Sequence, residues 1–142
     1  MSKVEIKTDW VDKHTFISSN EDNQSLIMDA QVDAQDVKKA PTPMEVVLMG
    51  LTGCAGIDVK MILTKARQQV VAINIKASGE RADSVPAVYT KIHLQFTVTG
   101  KNLADKQVAR AVQLSAEKYC SVSKMLENSV SISHDYVIVQ TD

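Results

Sequence analysis

The longest apolar run in the chain extends from Val46 to Ile57, where no residue is charged. It lies inside a longer segment, residues 42–68, whose composition suits one continuous helix. Because nearly every face of this helix is apolar, we expect it to be the central helix of the fold and to be buried on all sides.

The start of this helix is marked by three neighbouring residues. Thr42 can serve as the N-cap, Pro43 suits the first helical position, and Glu45 completes a capping box with Thr42. Asp58 and Lys60 end the uncharged run before it reaches the roughly 18 residues that a membrane span needs. The sequence therefore predicts a core helix and no membrane partner.

Three glycines interrupt the apolar helix, at Gly50, Gly53 and Gly56. Each glycine costs about 1 kcal/mol relative to alanine in a helix interior. We therefore expect another helix to pack closely against them, and a second copy of the chain would supply one, which predicts a homodimer. Cys54 lies among these glycines, although most buried cysteines are only small apolar residues.

The rest of the chain alternates between strand and helix patterns. Alternating apolar and polar positions predict two short strands in 4–19 and further strands over 25–30, 70–78, 88–99 and 130–139. A helix is predicted from Leu103 to about Tyr119, capped by Asn102, and a short one begins near Ser121. The predicted inward stripe of the longer of these two helices consists of Val108, Ala111, Val112, Ser115 and Tyr119. This order predicts an α+β fold with antiparallel sheet, in a single domain over residues 1–142.

Composition narrows the function classes. The chain has 16 basic and 17 acidic residues without a basic stripe, which argues against a nucleic-acid partner. The N-terminus has no apolar signal segment, and two cysteines without such a segment point to the cytoplasm. The histidines, at positions 14, 93 and 134, have no metal-ligand spacing with the cysteines, so we expect no metal site.

Cys120 differs from Cys54 in its local context. It stands at the junction of two predicted helices, where backbone amides and the helix dipole favour a thiolate. The two cysteines could form a redox pair if the fold brings their Cα atoms within about 7 Å. Spacing alone leaves a structural role for both cysteines open.

Two separate motifs carry a family resemblance. The stretch KAPTPMEVVLMGLTGCAGIDV contains Cys54, the stretch RAVQLSAEKYCSVSKML contains Cys120, and a GERA segment lies between them. With these motifs the chain resembles the OsmC/Ohr superfamily of osmotically inducible and organic-hydroperoxide-resistance proteins, and it is most similar to the YhfA-like branch. The resemblance covers nearly the whole chain.

The resemblance implies an intertwined homodimer in which antiparallel sheets wrap around central helices and the active sites lie at the subunit interface. It also implies that Cys54 attacks a hydroperoxide and that Cys120 resolves the resulting sulfenic acid to a disulfide. A dithiol such as a lipoyl group would then reduce the disulfide by exchange. No metal, haem or nucleotide cofactor is implied.

The chain departs from the family pattern at the groups that assist the thiolate. The resemblance implies an N-terminal arginine paired with a glutamate, but the arginines here are Arg67, Arg81 and Arg110. Lys13, Lys38 or Arg81 could substitute for it. Met44 occupies the glutamate position and Glu45 follows it, so Glu45 is a candidate catalytic residue that also has a sufficient role in the capping box.

Two other functions remain open at this point. The protein could be a non-catalytic binding protein that holds an apolar small molecule at the dimer interface, which the missing arginine favours. It could also be a thiol enzyme acting on an acyl or disulfide substrate, although no cysteine–histidine spacing supports that.

Overall fold

The computed structural model describes residues 2–142 and confirms the α+β fold class. The elements in chain order are β1 (Lys7–Asp12), β2 (Thr15–Ser19), β3 (Ser25–Met28), α1 (Pro43–Lys65), β4 (Gln69–Arg81), β5 (Tyr89–Lys101), α2 (Asp105–Leu114), a π-helical turn (Ser115–Tyr119), α3 (Ser121–Leu126) and β6 (Ser131–Thr141). The chain forms two compact units, one ending at Val47 and one running from Leu48 to Asp142. A single domain over the whole chain stays a prediction.

The N-terminal unit contains an antiparallel sheet with the strand order β1-β2-β3. Tight turns connect the strands, with Lys13 and Asn23 in the left-handed backbone region at φ 47° and 61°. The Trp10 ring Nε1 donates a 2.8 Å hydrogen bond to the Lys13 carbonyl and closes the first turn. The meander predicted for this part of the chain is thus confirmed.

Helix α1 begins with the predicted capping box. The Glu45 amide donates to Thr42 Oγ1 at 3.2 Å, and the Thr42 amide donates to Glu45 Oε1 at 2.9 Å. The helix ends at Lys65, just before Arg67 takes a left-handed φ of 59°. Reciprocal bonding at the first turn explains why the chain enters the helix at Pro43.

The expectation that α1 is buried on all sides is wrong for the single chain. Its buried side chains form one stripe with a spacing of four residues, namely Leu51, Ala55, Val59 and Leu63. On other faces Ile57 is 64% exposed and Met61 55% exposed. One chain supplies packing partners for only one side of this helix, although its composition is apolar all round.

The exclusion of a membrane span on length was also too strict. By length and composition alone, α1 is long and apolar enough to cross a bilayer. The uncharged run is short, but Asp58 and Lys60 are too few to lower the hydropathy of the longer window below that of a span. The regular buried stripe of α1 is what a core helix shows.

The C-terminal unit is built on the sheet β4-β5-β6. Strand β5 lies in the middle, and its inward side chains Ile92, Leu94, Phe96 and Val98 are buried. Strands β4 and β5 form the predicted antiparallel hairpin. Strand β6, however, pairs parallel to β5, which corrects the expectation of antiparallel sheets. The intervening helices α2 and α3 provide the long crossover that parallel pairing requires.

Two details of the second helical region also differ from prediction. Ala104, not Asn102, is the N-cap of α2, because Asn102 adopts a left-handed φ of 52° in the turn after β5. The predicted inward stripe holds through Ser115, but Tyr119 is 50% exposed. The π-helical turn, closed by a 2.9 Å bond from the Cys120 amide to the Ser115 carbonyl, rotates Tyr119 off the stripe.

Candidate functional site

The C-terminal unit brings both cysteines and one carboxylate together. The Sγ atoms of Cys54 and Cys120 and a carboxylate oxygen of Asp58 all lie within 4.8 Å of one another. Cys54 and Asp58 are one helical turn apart on α1, while Cys120 comes from the junction between the π-helical turn and α3. Both thiols are free, and the fold brings the two sulfur atoms close together, which the sequence had left open.

Burial distinguishes the two thiols. Cys120 is 1% exposed, whereas Cys54 is only partly buried. Cys120 is the N-cap of α3, and its Sγ accepts a hydrogen bond from the Ser123 amide at 3.5 Å. A small molecule that enters the site therefore reaches the Cys54 sulfur more easily than the Cys120 sulfur.

The expectation that the helix start favours a thiolate at Cys120 is wrong. Burial raises the pKa of the Cys120 thiol to about 11, and the neighbouring Cys54 and Asp58 act in the same direction. The Ser123 amide lowers this pKa but does not outweigh desolvation. Helix α3 has only six residues, which leaves it a weak dipole.

Asp58 is the site residue to which sequence analysis gave no role. Burial raises the pKa of its carboxyl group, and a hydrogen bond from Ser115 partly opposes that rise. The fully buried Ser115 hydroxyl lies 3.4 Å from Asp58 Oδ2 and 3.4 Å from the Ala55 carbonyl oxygen. The i, i+4 spacing of Cys54 and Asp58 was the available signal, but only the fold shows that Cys120 and Ser115 meet that face.

A cavity of about 460 Å³ opens beside Asp58. Its apolar walls come from α1 and from the α2–π segment, and they include Met61, Ile62, Leu114 and Tyr119. Lys65 and Arg110 add two cations to the lining. The cavity thus combines apolar surface with positive charge next to the thiol–carboxylate cluster.

Glu45 lies in the N-terminal unit, where its carboxylate makes contacts with Thr42 and Lys38. Besides the capping box, its carboxylate forms an ion pair with Lys38. The Lys38 ammonium, followed by the Thr42 amide and hydroxyl, lowers the pKa of Glu45 from 4.5 to about 2. These contacts support a role at the helix start, and a catalytic role for Glu45 stays a prediction.

The other candidate cations have separate positions. Arg81 Nε donates to the Ala87 carbonyl at 2.8 Å, and Lys13 lines a small polar cavity in the N-terminal unit. Lys38 is therefore the one of the three that reproduces a cation–glutamate pair.

The depressed pKa of Glu45 predicts an acid-dependent loss of stability. Glu45→Gln is expected to be less stable than wild type at neutral pH, because the neutral amide cannot replace the charge paired with Lys38. The folded pKa is about 2 and the ordinary value is 4.5, so the stabilisation is complete above pH 4.5. This stabilisation is lost as the pH falls from 4.5 to about 2.

Urea denaturation at a series of pH values from 7 downward would measure this difference. The matched variant Glu21→Gln, in the exposed turn between β2 and β3, is expected to follow wild type throughout. A Glu45→Gln deficit that stayed constant with pH would contradict the ion-pair explanation.

Comparisons with known proteins agree with this architecture. A family model described as OsmC-like protein matches residues 35–135. Protein YhfA of Escherichia coli is 46% identical over 136 residues, which cover 96% of this chain and 98% of that protein. A hypothetical protein from Aquifex aeolicus is 28% identical and superimposes with a TM-score of 0.88 over 100% of both chains.

A more distant solved structure shares the fold. It is the organic hydroperoxide resistance protein OhrB of Bacillus subtilis, at 14% identity and a TM-score of 0.61. The superposition covers 96% of this chain and 98% of OhrB.

Proposed function

Because the chain belongs to the OsmC-like protein family, we propose that it is a thiol-dependent peroxidase that reduces organic hydroperoxides in an oxidative-stress response. The observation that carries the proposal is the close approach of the Cys54 and Cys120 sulfurs, which lie within 4.8 Å. A disulfide requires about 2.05 Å between sulfur atoms, so the two sulfurs must come closer together for it to form.

The proposed cycle gives the two thiols different roles. The more accessible Cys54 attacks the O–O bond as a thiolate, the alcohol leaves with a proton, and Cys54 becomes a sulfenic acid. The buried Cys120 then attacks the Cys54 sulfur, and water leaves as the disulfide forms. Two exchange steps with a dithiol such as a lipoyl group restore both thiols and release the cyclic disulfide of the reductant.

Nearby groups support this cycle. The apolar walls of the adjacent cavity suit a bulky organic hydroperoxide better than hydrogen peroxide. We also propose a catalytic role for Glu45, whose carboxylate pairs with Lys38.

The protein has the soluble OsmC-like fold, and the long apolar α1 is the core helix of that fold. We propose that it acts in the cytoplasm as a homodimer, because the exposed apolar face of α1 needs a partner surface. A second copy of the chain would provide an equivalent face across a two-fold axis.

The direct test is the intact mass of the reduced protein after brief exposure to one equivalent of cumene hydroperoxide, followed by peptide mapping. We expect a loss of two hydrogens per chain within seconds and a Cys54–Cys120 disulfide in the map. Unchanged thiols, or slow oxidation at Cys120 alone, would overturn the proposed peroxidase function. Oxidation in a denatured sample serves as the control for reactivity that does not depend on the fold.

The cavity beside Asp58 favours a second candidate, a non-catalytic binding protein for an apolar small molecule. Its volume of about 460 Å³ is within the range of small-molecule sites. Native mass spectrometry that finds a co-purified ligand, together with no peroxide turnover, would favour this function over catalysis.

A further inference from the structure

The cluster of Cys54, Asp58 and Cys120 has a composition that peroxide reduction alone does not require. The chain contains two cysteines, and both lie in this cluster. The third member is the Asp58 carboxylate, one helical turn after Cys54 on α1. Two thiols suffice for a sulfenate–disulfide cycle, whereas a carboxylate beside them opposes the formation of a thiolate. The presence of the Asp58 carboxylate therefore indicates that the cluster binds an additional ligand.

We propose that Cys54, Asp58 and Cys120 form a binding site for a thiophilic divalent cation of the Zn²⁺ type. Zn²⁺ binds thiolate sulfur at about 2.3 Å and carboxylate oxygen at about 2.0–2.2 Å in tetrahedral geometry. The donors around such an ion are then roughly 3.4–3.8 Å apart. The donor atoms here lie within 4.8 Å of one another. They must therefore approach one another by at most about 1.4 Å to reach that spacing.

Groups around the three donors hold them in place. The buried Ser115 hydroxyl lies 3.4 Å from Asp58 Oδ2, and the Ser123 amide donates to the Cys120 sulfur at 3.5 Å. Such outer contacts orient metal ligands and are common features of metal sites. The three donors come from helix α1 and from the start of α3, which fixes their backbone positions.

The surroundings also provide access and a fourth position. Asp58 lines the cavity of about 460 Å³, so an ion can enter from that side and a water molecule can complete its coordination. A divalent cation would offset the charges of two thiolates and one carboxylate in a site that is largely shielded from solvent.

The first test is a titration of the reduced, untagged protein with Zn²⁺ in competition with a chromophoric chelator. We expect one Zn²⁺ per chain, and Co²⁺ in its place should show tetrahedral and thiolate charge-transfer absorption. Cys54→Ser and Cys120→Ser should lose this site, and Ser115→Ala should weaken it about 10- to 100-fold. The matched variants Ser129→Ala and Glu80→Gln, on exposed positions elsewhere in the unit, should bind as wild type does.

Wild-type protein alone provides a second test that does not depend on the folding of a variant. Bound Zn²⁺ should slow the alkylation of Cys54 by N-ethylmaleimide, and a chelator should restore the original rate. Absence of Zn²⁺ binding, or equal binding by a Cys54→Ser/Cys120→Ser variant, would overturn the metal site. Peroxide turnover is measured separately, so the failure of either proposal is distinguishable from the failure of the other.

Discussion

Cys54→Ser is expected to reduce the rate of cumene hydroperoxide consumption by at least about a thousandfold. The hydroxyl is a far weaker nucleophile than the thiol, and the covalent route through a sulfenic acid is lost with the sulfur. The fold should persist, because serine is close in size to cysteine and Cys54 is only partly buried. Steady-state assays with a dithiol reductant in excess would measure the loss.

Cys120→Ser provides the matched comparison, since it removes the other sulfur of the same pair. It should retain the first reaction with peroxide and accumulate a Cys54 sulfenic acid that a dimedone probe can trap. Turnover should fall because no internal disulfide forms. Wild-type rates in Cys54→Ser would remove the assigned nucleophile, and a disulfide-independent wild-type rate in Cys120→Ser would remove the assigned resolving role.

The local elements of this fold were largely predictable from sequence. The capping residues Thr42 and Glu45 define the start of α1 through their own hydrogen bonds, which depend on neighbours only three positions apart. Alternation also located β5, since its inward residues from Ile92 to Val98 repeat with the strand period. Signals of this kind are contained in short stretches of the chain.

Features that depend on distant segments were not predictable in the same way. The parallel pairing of β6 depends on the crossover through α2 and α3, and a strand pattern reads alike in either direction. The exposure of Tyr119 follows from a π-helical turn that no composition signal marks. Helical periodicity therefore predicts correctly as far as Ser115 and fails at Tyr119, one turn later.

The candidate site shows the same division. Motifs in the sequence identified Cys54 and Cys120, but the distances among their sulfur atoms and the Asp58 carboxylate are a property of the fold. The burial of Cys120 is likewise set by the segments that cover it, and burial outweighs the helix-start effect on its pKa. A motif identifies the candidate reacting groups, whereas the packing around each group determines which of its protonation states is favoured.

Gly53→Ala is expected to weaken the proposed homodimer by roughly 5- to 150-fold in dissociation constant. Apart from its chain neighbours and the backbone of its own helix, an added Cβ at Gly53 or Gly50 would meet no heavy atom within 4 Å in the described chain. Gly56 differs, because a Cβ there would lie 3.2 Å from Ile75 Cδ1 of the same chain. Gly50 and Gly53 therefore have no close neighbour inside the described chain that accounts for a residue disfavoured in helices.

The sign of the stability change in Gly53→Ala distinguishes an isolated chain from one in which a partner helix covers this face of α1. In an isolated chain Gly53→Ala should raise the free energy of unfolding by about 1 kcal/mol, because alanine favours the helix. If a partner helix packs against this face, the methyl group overpacks the interface and costs about 1–3 kcal/mol of association free energy instead. Sedimentation velocity across a range of protein concentrations, combined with thermal unfolding, separates the two. Lys106→Ala on the exposed surface of α2 is the control and should leave association unchanged. A more stable Gly53→Ala protein with unaltered sedimentation would show that no second chain occupies this face of α1.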